Sequence, residues 1–221
     1  MKNTKLVATL GAVALVAAVG LGSTLAYLSD TAGPVTNTFT FGNVSFDKLK
    51  GGLRESEVAR DEDETADTYG QYIDVDNKTN EDGNTVEEWT ITDTQGYTDL
   101  YPGETVFKDP TVFLADDSND AWVYAKVVYD KDQYTINYSS NWVVIDDLST
   151  DDYDFVAKTD AVMEGGDHST IFSSVTVSDA EDILDEDLSD IVISAAAVQA
   201  LGFADSAAAE EVADGLLNPQ D

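Results

Sequence analysis

The sequence predicts a mainly β fold, an antiparallel β-sandwich with a few short peripheral helices. Three observations carry this: many short segments alternate apolar and polar residues with period two, turn formers separate them, and only two segments show helical patterning. Of the 221 residues, 43% are hydrophobic and 10% aromatic. That is enough to fill a core, and the length suits one or at most two domains.

In chain order, Val35, Asn37, Phe39 and Phe41 share one face of an extended segment, with Thr36, Thr38 and Thr40 on the other, as a strand with one buried side requires. Gly42-Asn43 interrupts the run and Val44-Ser45-Phe46 resumes it. Residues 51–87 hold the acidic runs Arg60 to Asp67 and Asp74 to Gly83 and read as a surface insertion with a short strand at Tyr69 to Val75. Further strands are expected at Val86 to Thr92, Glu104 to Leu114, Ala121 to Tyr129, Asn141 to Asp146, Tyr153 to Lys158, Thr170 to Val177 and Asp190 to Gln199. Pro110 puts its strand at an edge or divides it, while apolar residues on both faces of Ala121 to Tyr129 mark a central strand. Ser178 to Leu184 opens with a helix cap and early acids, and Asp205 to Leu217 carries an Ala-rich helical pattern with Val212, Leu216 and Leu217 on one side.

Charge and residue types narrow the function. With 44 acidic against 11 basic residues the formal net charge is −33, which excludes nucleic-acid binding by phosphate neutralisation. The absence of cysteine removes disulfides, thiolate zinc sites and cysteine nucleophiles. His168 is the one histidine, so a His pair for zinc or acid–base work is missing within a subunit. It lies in a polar turn, Glu164 to Thr170, without a nucleophile-elbow motif. Carboxylates are plentiful, yet nothing marks one pair for glycoside hydrolysis.

Weak calcium sites and plainly solvated acidic loops are both compatible with Asp61 to Glu64, with Asp74 to Asp82, and with Asp116 to Asp120. The candidate ligands are Asp74, Asp76, Asp116, Asp117 and Asp120. Asp74-x-Asp76 starts like an EF-hand, but Lys78 stands at the fifth position and Thr79 where glycine belongs.

The N-terminus reads as an export signal. Lys2 and Lys5 precede a charge-free stretch from Leu6 to Gly22 and the small residues Thr24 and Ala26, which predicts cleavage between Ala26 and Tyr27. The alternative is an uncleaved anchor, although that stretch spans only about 25 Å against a hydrocarbon core of roughly 30 Å. Removal of residues 1–26 leaves 9 basic and 44 acidic residues, a net charge of −35. The product is expected to be soluble and outside the cytoplasm, and the C-terminal Gly215 to Asp221 carries no anchor signal.

Gly22 to Asp30 followed by Asn37 to Val44, the turn Tyr101-Pro102-Gly103-Glu104-Thr105-Val106 with Phe107 to Val112, the strand Asn119 to Val127, and Ile193 to Phe203 together resemble TasA/camelysin-type proteins of Gram-positive bacteria. The resemblance touches about half of the mature chain, and the acidic region 51–87 has no counterpart in it. It implies a jelly-roll-like sandwich, export through a SipW-type signal peptidase, and assembly into biofilm matrix fibres by donation of an N-terminal strand to the next subunit. Residues 27–41 would be the donor, with Val35, Phe39 and Phe41 filling pockets; the same residues could instead form the first strand of their own domain. Some camelysin relatives are described as metallopeptidases, but this chain has no zinc motif to carry that activity. The function expected is therefore a noncatalytic, self-polymerising structural protein of the cell surface or matrix, with other matrix or surface components as further partners. A monomeric adhesin or binding module is the alternative, and a camelysin-type protease a more distant one.

Overall fold

A computed structural model describes residues 29–32, 44–47, 52–75, 77–79, 85–87, 96–179 and 188–219. It is mainly β and antiparallel throughout. One layer has the strand order β1 (Ser29–Ala32), β15 (Val192–Gln199), β9 (Ala121–Val128), β12 (Tyr153–Lys158) and β11 (Trp142–Val144). The second layer contains β10 (Tyr134–Tyr138), β14 (Phe172–Val177) and β7 (Thr105–Phe107), continued by β13 (His168–Thr170), β8 (Thr111–Phe113) and β2 (Leu53–Arg54).

Pro110 divides one long strand into β7 and β8, as its missing N–H requires. The ladder still runs through the break, because Ile171 N–H donates to Pro110 C=O and Lys108 N–H to Ser173 C=O. From β8 onward every connection crosses between layers except β11 to β12 and the one-residue step from β13 to β14, and the first and last strands are neighbours. This is jelly-roll-like connectivity.

Period-two alternation decides what each face meets. From β9 and β15, Val123, Ala125, Val127, Ala195 and Ala197 join Val106, Val112, Leu114, Ile136, Phe172 and Val175 in the core between layers. On the other face, Tyr124, Phe155, Ala157 and Val198 pack against Ala209 and Ala213 of α1 (Ser206–Leu217). Small residues on both sides let the helix sit close to the sheet. Asp205 caps it by accepting from Ala208 N–H at 3.0 Å, and Val212, Leu216 and Leu217 pack on the same cluster. The apolar residues on both faces of β9 are thus explained by a sandwich partner on one side and a helix on the other.

The stretch 51–87 is more than a surface loop at its start. β2 adds to β8, β3 (Val58–Arg60) pairs with β4 (Tyr72–Asp74), and β5 (Asn77–Thr79) with β6 (Thr85–Glu87). β4 falls inside the strand expected at Tyr69 to Val75. The sequence reading did not contain β2, β3, β5 and β10, nor β13 as a piece separate from β14. The strand expected at Val35 to Phe41, and all of the helix expected at Ser178 to Leu184 except Ser178 and Asp179, lie outside the described residues.

Candidate functional site

The segment that follows the expected cleavage site is partly described. Ser29–Ala32 pairs antiparallel with β15, Ser29 opposite Val198 and Ala32 opposite Ala195, on the outer flank of the five-stranded layer. The described part of residues 27–41 therefore forms a strand of its own domain. Ala26, Tyr27, Val35, Phe39 and Phe41 lie outside the described residues. The receiving strand is firmly built: Ala195, Ala196, Ala197 and Val198 are completely buried between the sandwich core and α1.

The candidate calcium ligands are distributed over two places. Asp74 ends β4, opposite Val58, whereas Asp116, Asp117 and Asp120 are exposed in the loop joining β8 and β9. That loop is seated on Gly165 and Gly166. A Cβ at Gly165 would come within 2.5 Å of Ser118 C=O and 2.9 Å of Asp116 C=O, and Gly166 has φ +85° with Asp116 Oδ1 beside it. Only glycine fits so close an approach. Among the described residues no three carboxylate or imidazole groups converge as a metal-binding set; Asp76 lies outside them. His168 is exposed and its ring stacks on Phe113, with centroids 5.3 Å apart.

Three polar constellations escaped the sequence reading because their members are far apart in the chain. Arg60 pairs with Glu104 at 2.9 Å, donates to the carbonyls of Gly70, Thr98 and Asp99, and lies 4.6 Å from the Tyr72 ring centroid. This joins the β3–β4 hairpin to the start of β7. Nearby, the buried Asp109 accepts from Ser56 N–H at 2.9 Å and Ser56 Oγ–H at 2.8 Å, beside the Lys108–Glu55 ion pair. Burial pushes the Asp109 carboxyl up to about 6 against those two hydrogen bonds, and the carboxylates of Asp74 and Glu55 add to the rise.

The third constellation centres on Asp154. Tyr129 and Tyr138 hydroxyls donate to its Oδ2 at 2.7 and 2.8 Å, and Lys131 Nζ donates to Oδ1 at 2.6 Å. Burial opposes the charged form, but the bonds from Lys131, Tyr129 and Tyr138 outweigh it and hold the carboxyl below the usual aspartate range. Desolvation and the adjacent carboxylate raise both phenols. The arrangement clamps β9, β10 and β12 together.

No family model, curated protein or solved structure matches the chain.

Proposed function

We propose that the chain is an exported, noncatalytic structural protein of the bacterial cell surface or biofilm matrix that assembles into fibres by N-terminal strand donation. A SipW-type peptidase would remove residues 1–26. The observation that carries this reading is β1: a four-residue edge strand, immediately after the leader, held on β15 by antiparallel pairing. Backbone pairing of this kind is independent of which copy supplies the strand, so a neighbour's N-terminal segment can replace the chain's own. The apolar and threonine alternation from Val35 to Phe41 extends the exchangeable segment. A product at −35 repels its copies when the Debye length is long, so salt, divalent cations or acid should promote assembly.

Electron microscopy of the chain matured at Ala26, with and without Tyr27 to Phe41, tests the reading. Fibres from the longer chain alone, more abundant at higher ionic strength, are expected. Fibres from the shortened chain, or assembly fastest at low salt and neutral pH, would contradict it. Persistent monomers would favour the adhesin, which has one observation behind it: Tyr69 and Tyr101 are 54% and 60% exposed on the two segments that Arg60 joins.

A further inference from the structure

On one flank of the sandwich a charge-free segment supplies the outer strand of each layer. From Gln133 to Ile145 the chain reads Gln-Tyr-Thr-Ile-Asn-Tyr-Ser-Ser-Asn-Trp-Val-Val-Ile, bracketed by Asp132 and Asp146. It supplies β10, the outer strand of the second layer, then crosses through 139–141 to β11, the outer strand of the first. Both layers therefore end on this side, opposite β1 and β2. Among the described residues no strand pairs with the outward edge of β10 or β11.

Edge strands are normally guarded by charge, proline or a covering segment. The other outer strands differ: the sequences of β1 and β2 include a charged residue, Asp30 and the buried Arg54, while on the charge-free β7 the Tyr97 hydroxyl donates to Phe107 C=O. β10 has a register irregularity at Asn137/Tyr138 and no charge. Its outward side chains continue a hydroxyl and amide surface across the sheet: Thr105 Oγ1 and Thr176 Oγ1 are 2.8 Å apart, and Asn137 Nδ2 donates to Ser174 Oγ at 3.1 Å. Val143 on β11 is 46% exposed.

We infer that this flank is a docking surface for a second copy of the same chain, β10 pairing antiparallel with its symmetry mate about Ile136. Two features select this occupant. A partner of opposite charge gains nothing from a neutral strip on a chain at −33, whereas a like-charged copy can approach closely only where charge is missing. An antiparallel edge is also self-complementary under a two-fold axis. Ser178 N–H donates to Gln133 C=O, so the odd-numbered residues of β10 face β14 and Ile136 turns its N–H and C=O outward. The pairing makes one sheet across both copies and sets Thr135 opposite Asn137 of the mate. This contact is separate from strand donation at β15 and would join fibres, or free chains, side by side.

The lack of native cysteine gives a clean test. Thr135→Cys and Asn137→Cys chains are mixed under mild oxidation and run without reductant. The mixture should give at least several-fold more covalent dimer than either variant alone, and more than a mixture of either with Thr105→Cys, which lies on the same face two strands from the edge. Sedimentation should show salt-promoted, concentration-dependent association that is lost in Thr135→Glu/Asn137→Glu and kept in Thr105→Glu. Equal cross-linking in all mixtures, or association indifferent to the edge glutamates, overturns the inference. Because cross-linking is read with or without fibres, its failure is distinct from failure of strand donation.

Discussion

Asp109 and Asp154 are comparably buried, 6% and 7% exposed, and their carboxyls move in opposite directions. Asp154 receives an ammonium and two phenol hydroxyls. Asp109 receives one hydroxyl and one amide from Ser56 and faces two further carboxylates. Burial costs both; the number and charge of the donors decide whether it is offset. In consequence the end where β9, β10 and β12 meet is locked at neutral pH, while the junction between residues 55–57 and the β7–β8 break is held under electrostatic load.

The largest effect should come from removing the lock. Asp154→Ala orphans two phenol hydroxyls and should cost about 3 kcal/mol in urea denaturation at pH 7; a loss under 1 kcal/mol would mean that the cluster is solvated. The loaded junction predicts a pH effect of the opposite kind. Between about pH 6 and pH 4 the folded chain binds a proton at Asp109 that the unfolded chain does not, so acidification through this window adds about 1–3 kcal/mol. Asp154 behaves oppositely: its stabilisation is complete above about pH 4 and disappears as pH falls through its lower folded-state value. Asp109→Asn should flatten the rise toward acid seen by thermal melting, and an unchanged slope would break the comparison. The smallest effect is expected from Lys131→Met, since Lys131 is about a third exposed. A loss below about 1 kcal/mol at pH 7, with the acid limb moved to higher pH, would show that the phenols do most of the holding.

Much of the fold was legible because burial on one face leaves period two in the sequence, and the strands at Ala121 to Tyr129 and Tyr153 to Lys158 are found almost as read. Pro110 announced its break through the missing N–H. β10 was missed although Tyr134, Ile136 and Tyr138 alternate with Thr135 and Asn137; it is short and follows the turn-like Asp130-Lys131-Asp132. Nothing local singles out Asp109, Asp154 or Arg60 among 44 acidic and 11 basic residues. Their partners lie across the sheet or, like Ser56 from Asp109, 53 positions away. Of the proposed donor segment 27–41, Ser29–Ala32 pair with β15.

The third layer also sets a time scale. Tyr124 Oη–H donates to Ser206 C=O at one end of α1, and Lys126 Nζ donates to Asn218 Oδ1 at the other, so the helix is tethered at both ends over β9, β12 and β15. Amides in these strands, covered on both faces, should exchange with solvent only when the whole molecule opens. The outward amides of β10 and β11 need no such event. The chain thus keeps an interior that is slow to answer its surroundings and a flank that answers at once.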